Sequence, residues 1–509
     1  MHHAILSGEG IMKSWPRQTV LYEINTWVWL YELSRKYGKR IHLGNVPAKE
    51  WGDIASLRVD GVWLMGVWER SPFATRTARE NPGTLAEFRQ VLPDFKSTDV
   101  VGSPYAIRRY AVDQHLGGSR GLQIARKELA GREIRLVLDF VPNHVAPDHS
   151  WVSDHPEYFI QGEQNDLLKA PNSFLQVEGV IFANGRDPNY LPWSDVLQLN
   201  AFHPGLRQAA IGIVNGIASQ CDGIRCDMAM LLVNDVFKKT WGLRAGSPPK
   251  AEYWEEVIPA VRKAYPAFLF MAEVYWGMEQ NLQEQGFDLC YDKRPYDSLR
   301  HETAEDLRVY VTGLKHQERL VRFIENHDEP RAAEVFSPGK EKAEAVILST
   351  LPGTKLFHEG QFEGRKVKVP VSLGRRPEET VDRDLLSFYR WLLKTIHNRA
   401  MRAGQWTFCE RRGWPDNQSY LNLLSWCWKS SRKRYLVAVN LSDRKSQGRI
   451  RAPWKELSGK SWRLADLSTG EIYERDGSEI YDPGLFVDLG PWKFHFLKFE
   501  ASDVRQENT

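Results

Sequence analysis

Long apolar runs, closely spaced cysteine pairs and an excess of one charge are all missing from this 509-residue sequence. No stretch approaches the roughly 20 apolar residues that span a bilayer, and the N-terminus lacks the basic start and apolar run of a secretory signal. The formal net charge is only +3. We therefore expect a soluble protein whose partners include neither nucleic acid nor a membrane surface.

Cysteine is scarce, odd in number and scattered, with no C-x-x-C spacing. This pattern predicts neither a disulfide framework nor a zinc site, and it favours a reducing, cytoplasmic location. The five positions are Cys221, Cys226, Cys290, Cys409 and Cys427.

Short apolar runs alternate with helical patterns over the first three quarters of the chain. Most of the runs lack in/out alternation, which is typical of parallel strands buried on both faces. Eight strand-helix units in succession predict an α/β fold, a (β/α)₈ TIM barrel. The predicted strands are VLYEI, GVWLMG, IRLVLDFV, GIRCDM, FLFMAEV, FDLCY, LVRFIEN and TKLFHEG.

Two regions depart from the barrel pattern. Residues 145–199 are too long for a barrel loop and predict an inserted domain after the third strand, over the barrel mouth. Residues 403–502 change to short strands with turn residues between them, which predicts a C-terminal antiparallel β-sandwich. The barrel is then formed by residues 12–144 and 200–402. Residues 1–11 could be a mis-assigned start before Met12, and the last ten residues or so are expected to be frayed.

Polar side chains interrupt the predicted strands near their carboxyl ends, where the active site of such a barrel lies. The third strand ends in DFVPNH, the fourth is GIRCDM, the fifth ends in MAEV, and FIENHD ends the seventh. The residues concerned are Asp139, Asn143, His144, Arg225, Asp227, Glu273, His327 and Asp328.

Each of these residues has a structural alternative. Arg225 and Asp227 could form a structural ion pair, Glu273 could cap a helix, and either histidine could simply be hydrogen-bonded. Together, however, several carboxylates at one strand rim would repel each other and be costly to desolvate unless a site uses them. The joint pattern therefore favours an active site.

Two carboxyl groups that flank a bond are the minimum for glycoside hydrolysis. The nucleophile must stay ionised, and an adjacent arginine lowers a carboxylate pKa, which makes Asp227 beside Arg225 the nucleophile candidate. The acid must keep its proton near neutral pH. Glu273 has no basic neighbour in sequence and is the better candidate for the acid.

The four segments, in this order and on these strands, resemble the conserved regions of the α-amylase family, glycoside hydrolase family 13. The resemblance implies a retaining double displacement, with Asp227 as nucleophile, Glu273 as acid and then base, and Asp328 as transition-state stabiliser. It also implies that Arg225, His144 and His327 line the same subsite, that Asp139 supports Arg225, and that Tyr105 stacks beneath the reacting sugar.

Two features leave questions open. Many relatives have a Lys-His pair after the nucleophile, where this chain has Met228, Ala229 and Met230, so the resemblance does not define the acceptor.

Asn143 matches a position that ligates a structural Ca²⁺ in many relatives. Calcium prefers six or more oxygen ligands, and the acids of the insertion are either further ligands or solvated loop residues. These acids are Asp148, Asp154, Asp166 and Asp187.

Three functions remain as hypotheses. The first is a retaining hydrolase of α-1,4 bonds in α-glucans or malto-oligosaccharides, whose chemistry needs no cofactor. The second is a transglycosylase, a 4-α-glucanotransferase or maltosyltransferase, which uses the same three carboxyl groups. The third is a non-catalytic carbohydrate-binding protein, which the fold alone would permit. The sequence leaves the oligomeric state open.

Overall fold

A computed structural model describes residues 15–301, 303–431 and 433–501. The questioned start at residues 1–11 lies outside the described residues, as does most of the C-terminal tail that was expected to be frayed.

The centre of the fold is a closed barrel of eight parallel strands, arranged in chain order. The last strand pairs with the first, which closes the barrel. The TIM-barrel prediction is confirmed. The strands are β1 (Val20–Asn25), β2 (Gly61–Met65), β3 (Arg135–Phe140), β4 (Gly223–Cys226), β5 (Leu269–Ala272), β6 (Leu289–Tyr291), β7 (Leu320–Arg322) and β8 (Thr354–His358).

Several strands end earlier than the sequence suggested. β4 ends at Cys226 and β5 at Ala272, so Asp227 and Glu273 are the first residues beyond their strands. The polar side chains at these two positions face the barrel mouth instead of extending the apolar strands. The strand ends therefore set the position of the site.

Helices surround the barrel and bury one apolar side against it. The helix Pro204–Ala218 follows the predicted pattern and begins at a proline, whose missing N–H costs nothing at a helix start. Within the described residues, no helix is both long and apolar enough to cross a membrane. The other helices of eight or more residues are Thr26–Tyr37, Ala48–Ser56, Pro72–Glu80, Pro82–Val91, Gly118–Ala130, Asn234–Trp241, Tyr253–Ala264, Lys293–His301, Ala304–Gly313, Pro338–Thr350 and Arg383–Ile396.

The insertion after β3 forms a small antiparallel sheet with a separate apolar cluster that includes Phe159, Phe182 and Leu197. Two short helices, Trp151–Asp154 and Gln164–Lys169, accompany it. In sheet order, its strands are His144–Val145, Trp193–Gln198, Val180–Gly185 and Phe174–Val177.

The C-terminal part consists of two antiparallel sheets that share one apolar core, as the predicted β-sandwich requires. Its larger sheet also contacts the barrel, since the indole N–H groups of Trp426 and Trp428 both donate to Thr350. In sheet order, the six-stranded sheet has Gln405–Phe408, Leu423–Lys429, Arg434–Asn440, Phe494–Ala501, Ser461–Asp466 and Ile472–Asp476, and the three-stranded sheet has Glu410–Arg412, Ser446–Arg451 and Leu485–Leu489.

Candidate active site

The barrel brings the three predicted acids together around Arg225, which lies in β4 and is fully buried. Its guanidinium nitrogens lie 2.6 Å from a carboxylate oxygen of Asp227, 2.8 Å from one of Glu273 and 3.9 Å from one of Asp328. These residues follow three different strands, and one arginine organises them. The charge of Arg225 offsets part of the repulsion among the three carboxylates.

Aromatic rings enclose the same guanidinium. The ring centres of Trp63 and Tyr105 lie 5.3 Å from its central carbon, and the ring centre of Tyr291 lies at 5.9 Å. Such cation–π contacts hold an arginine in a defined orientation without neutralising its charge. Arg225 is therefore held by the carboxylates on one side and by the aromatic rings on the other.

Asp227 is almost completely buried, and its pKa differs from the sequence expectation. Burial raises the pKa of Asp227 above its ordinary value, while the Arg225 guanidinium acts in the opposite direction. The effect of Arg225 on this pKa has the sign predicted from the sequence. The opposing cost of removing a carboxylate from water is larger.

Glu273 has the environment that a general acid needs. Burial raises its pKa to about 7; Arg225 opposes this shift, and the neighbouring Asp227 and Asp328 add to it. The Met228 amide donates to one carboxylate oxygen at 2.6 Å and the Tyr275 hydroxyl donates to the other at 2.8 Å. Both oxygens are thus held in place, and the raised pKa allows the group to carry a proton far more readily than an ordinary glutamate.

Asp328 lies at the rim of the site, with its side chain 44% exposed, and bonds to His327 at 2.9 Å. Burial alone would raise the pKa of Asp328, but the charge and hydrogen bond of His327, together with the charges of Arg225 and Lys368, bring it well below the ordinary value. Although burial disfavours its charge, Asp328 and Glu23 raise the pKa of His327 to about 10. At neutral pH this group is an imidazolium between two carboxylates.

The remaining predicted residues lie around this centre. The Tyr105 hydroxyl is hydrogen-bonded to His327. Burial lowers the pKa of His144 to about 3, so its ring is neutral, and its ring centre lies 5.1 Å from that of Trp193 in the insertion. Tyr105 and His144 thus border the site from the β2 and β3 sides.

Asp139 was expected to support Arg225, and it does so indirectly. Its oxygens accept hydrogen bonds from the Trp63 indole at 3.1 Å and from the Gly66 amide at 2.9 Å. Burial raises its pKa to about 6, and the nearby Arg225 opposes the shift. Asp139 acts on Arg225 through charge and through Trp63, whose ring packs on the guanidinium.

Asn143, the predicted calcium ligand, is hydrogen-bonded to a residue of the insertion. Its side-chain oxygen accepts a hydrogen bond from Gln198, and its amide group donates back to Gln198. Asp148 bonds Ser71 instead, and Asp166 pairs with Arg244. Across the described ranges, no cluster of three or more His, Cys, Asp or Glu side chains suits a metal ion.

Several residues of the site were not predicted from the sequence. Glu23 is fully buried against His327. It interrupts the apolar run VLYEI, and a charged residue within a predicted buried strand could have identified it as a site residue. Tyr275 and Trp276 lie two and three residues after Glu273, in the loop that follows β5. Their roles depend on the shape of the loop, since Trp276 has a left-handed φ of 63°.

A cavity of about 1080 Å³ lies between the insertion and the loops after β5 and β6, and its lining includes Met228 and Tyr275, which both hydrogen-bond Glu273. Met228 lines it, whereas Ala229 and Met230 are fully buried. Of the three residues in the place of the family's Lys-His pair, only Met228 faces this cavity. Its other walls include Asp187, Tyr190, Trp193, Tyr275, Trp276, Lys293 and Glu329.

Residues 54–429 match the family model of the α-amylase catalytic domain. The chain belongs to the α-amylase family. The match spans β2 to β8, including the insertion and every predicted site residue. It also reaches the first strands of the C-terminal sandwich.

Curated members of the α-amylase family match at low identity. The α-amylase MalA of Haloarcula japonica is 25% identical over 283 residues, which are 53% of this chain and 37% of the relative. The α-1,4-glucan:maltose-1-phosphate maltosyltransferase of Bifidobacterium longum is 23% identical over 42% of this chain and 25% of its own length. The chain thus spans well under half of the length of these two relatives.

Solved structures of α-amylase family members share the fold along nearly the whole chain. The noncanonic maltogenic α-amylase AmyB of Thermotoga neapolitana aligns with a TM-score of 0.65 and 18% identity, over 95% of this chain and 99% of that structure. The α-amylase of Lactobacillus plantarum gives a TM-score of 0.66 with the same coverage. At such low sequence identity, the structural similarity shows a shared fold and nothing more specific.

Proposed function

We propose that the protein is a retaining glycoside hydrolase that cleaves α-1,4-glucosidic bonds in α-glucans or malto-oligosaccharides. One observation carries the proposal: a single buried guanidinium holds Asp227 and Glu273 side by side, while the pKa of Glu273 lies at about 7. Two carboxyl groups in different protonation states are what a double displacement requires.

In the first step, the Asp227 carboxylate attacks the anomeric carbon and the glycosidic C–O bond breaks. Glu273 donates its proton to the departing oxygen, which leaves a glycosyl ester on Asp227. In the second step, Glu273 takes a proton from water as the water oxygen attacks the same carbon and releases Asp227. The chain's own carboxyl groups supply every proton transfer.

Asp328 and His327 are proposed to bind hydroxyl groups of the reacting sugar. An exposed carboxylate beside an imidazolium offers both an acceptor and a donor for vicinal hydroxyls. Tyr105, fixed by its hydroxyl on His327, presents its ring to the apolar face of the sugar. Its contacts with Arg225 and His327 would keep that ring in place before substrate binds.

The substrate class is supported by the relatives of the chain, which are named as α-amylases, a cyclomaltodextrinase and maltosyltransferases. The maltosyltransferase relatives also support the second candidate, a transglycosylase in which a sugar hydroxyl replaces water. Both candidates share the first step and the same three acids. A non-catalytic binding protein is less consistent with the site, because it would not need the three acids arranged on Arg225.

Incubation with maltoheptaose tests the proposal. Hydrolysis gives only shorter sugars, whereas transfer also gives longer ones. Asp227→Asn should lower kcat by about 10⁴-fold or more, the scale seen when a catalytic nucleophile is removed. Asp235→Asn, in the helix Asn234–Trp241, is the matched control and should retain activity. Undiminished turnover by Asp227→Asn would contradict the proposed nucleophile.

We also propose a cytoplasmic setting. All five cysteines are buried and none forms a disulfide, although the sulfur atoms of Cys409 and Cys427 lie 3.1 Å apart. Free thiols suit a reducing compartment.

A further inference from the structure

We propose that one end of the substrate cleft is closed, so that the protein attacks only the terminal sugar at the non-reducing end and removes one glucosyl unit per cycle. The inference rests on the proposed function and specifies which bond of the chain is attacked. Its basis is a difference in shape between the two sides of the acids.

Glu273 defines the two sides. The acid must reach the oxygen of the leaving chain, so the leaving chain lies on the Glu273 side of the scissile bond. The large cavity lies on that side, where Tyr275, which hydrogen-bonds Glu273, and Trp276 form part of its lining. Any further sugars of the donor, towards the non-reducing end, must extend the opposite way, past His327 and the β8 loop.

That opposite side is closed by two joined segments, residues 97–105 after β2 and residues 366–376 after β8, which we term the donor wall. The Val101 amide donates to the Ser372 carbonyl and the Gly374 amide donates to the Asp99 carbonyl, both at 2.8 Å. These two backbone hydrogen bonds, one in each direction, join the segments where residues 99–101 meet residues 372–374. A sugar chain that ran out between the two loops would have to break them.

Side chains reinforce the donor wall. Arg375 pairs with Asp99 at 2.8 Å and with Asp94 at 3.0 Å. Between the segments, Val100 and Leu373 pack into a small apolar cluster with Phe88 and other residues of the neighbouring helix. The wall therefore has its own buried core, which favours a fixed barrier over a loose flap.

The wall is also fastened to the site itself. The Lys368 ammonium contacts the backbone carbonyl of Asp328. The buried Arg70 donates to the carbonyls of Gly102 and Val371, one on each segment of the wall. The segment that ends at Tyr105 and the segment that carries Lys368 thus stand directly beside the proposed position of the reacting sugar.

A cavity of about 550 Å³ borders the wall at Asp99, Val101 and Arg375, but its lining includes none of the acids, Tyr105 or His327. Directly against His327, the space on this side is very small. A cavity of about 20 Å³ lies between His327, His358, Lys368 and Arg376, which is enough for about one water molecule. The cavity on the Glu273 side measures about 1080 Å³. A long leaving chain or acceptor fits on one side of the acids, and no second donor sugar fits on the other. The protein therefore releases or transfers single glucosyl units, and not maltosyl units.

Maltoheptaose labelled at its reducing end tests the inference. Removal of one terminal unit gives labelled maltohexaose as the first labelled product, by hydrolysis or by transfer. A second substrate, maltoheptaose blocked at its non-reducing end by an ethylidene acetal, should resist cleavage. Early labelled products of two to five sugars, or cleavage of the blocked substrate, would overturn terminal attack and leave the proposed glycosidase function intact. Absence of turnover on both substrates would overturn the proposed function as well.

Arg375→Ala tests the wall as the cause. Loss of both ion pairs should loosen the joined segments and allow labelled maltopentaose to appear as an early product. Arg449→Ala, which removes an arginine paired with Glu479 in the C-terminal sandwich, is the matched control and should keep the wild-type product order. A folded Arg375→Ala protein with an unchanged product order would overturn the role of the wall. The blocked substrate tests terminal attack in the wild-type protein whether or not the variant folds.

Discussion

Glu23 accepts a hydrogen bond from Nδ1 of His327, a residue 304 positions further along the chain. The other ring nitrogen of His327 lies 2.9 Å from Asp328. A fully buried carboxylate in β1 therefore holds the histidine charged, and the charged histidine keeps Asp328 ionised. This relay links the first and seventh strands at the point where the substrate is expected to bind.

Glu23→Gln should lower the pKa of His327 from its value of about 10. Loss of an adjacent negative charge removes about 1 to 3 pKa units of stabilisation of the imidazolium. An NMR titration of ¹⁵N-histidine-labelled protein, with the signal assigned by its loss in His327→Gln, measures this shift.

Glu50→Gln is the control for that experiment. Glu50 is also a buried carboxylate, but it pairs with Lys36 on the outside of the barrel. Glu50→Gln should therefore leave the pKa of His327 unchanged. An unaltered His327 pKa in Glu23→Gln would show that Glu23 does not hold the proton on the ring.

The dependence of kcat/KM on pH should fall on the alkaline side near pH 7. The reaction needs protonated Glu273, so activity is present below its pKa of about 7 and is lost as the pH rises through that value. On the acid side, activity is lost as Asp227 becomes protonated, at a pH above the ordinary aspartate value. A rate profile on maltoheptaose between pH 4 and about 9 measures both limbs.

Tyr275→Phe should move the alkaline limb to higher pH. The tyrosine hydroxyl donates to Glu273, which stabilises the ionised form, so its removal raises the pKa of Glu273 by about one unit. Tyr473→Phe removes a similar hydroxyl from Glu471 in the sandwich and serves as the control. A limb that stays in place or moves to lower pH would contradict this contact.

Trp276→Ala should weaken binding of long substrates. The side chain is 44% exposed and lines the cavity on the leaving-chain side, and loss of a stacking surface worth about 0.5 to 1.5 kcal/mol raises KM about two- to tenfold. KM for an aryl α-glucoside should change less than KM for maltoheptaose. Leu243→Ala, which alters an exposed residue outside the cavity lining, should change neither.

Asp139→Ala should destabilise the fold. It leaves the buried indole N–H of Trp63 and the amide of Gly66 without their acceptor, at a cost of about 1 to 3 kcal/mol each. Urea unfolding measures the loss. Asp139→Asn keeps one acceptor and should cost less, while Asp53→Ala, on an exposed ion pair with Lys49, should cost under about 1 kcal/mol. Equal losses in all three variants would contradict a buried role for Asp139.

Much of the barrel could be read from the sequence because each strand is an apolar segment bounded by turn residues. All eight predicted runs overlap barrel strands. The acids were also readable, since Asp227 and Glu273 interrupt apolar runs, and a parallel barrel brings the carboxyl ends of all its strands to one rim. Local pattern and barrel topology together were enough to group them.

The pKa values could not be read in the same way. Arg225 is two residues from Asp227 in sequence, and this suggested a lowered pKa, yet burial has the larger effect on the pKa of Asp227. Glu273 has no basic neighbour in sequence but lies 2.8 Å from that same arginine. Desolvation and charge depend on distances in three dimensions, and the order of residues does not contain them.

The sequence by itself determined the strand order, the acids at the mouth and the resemblance to one family, because these depend on local residue pattern and on a regular topology. Only the tertiary structure decided that Glu23 faces His327, that Asn143 bonds Gln198, and that the β2 and β8 loops join through Val101 and Ser372. Those contacts connect segments far apart in the chain, and irregular loops carry no periodic signal that predicts their partners.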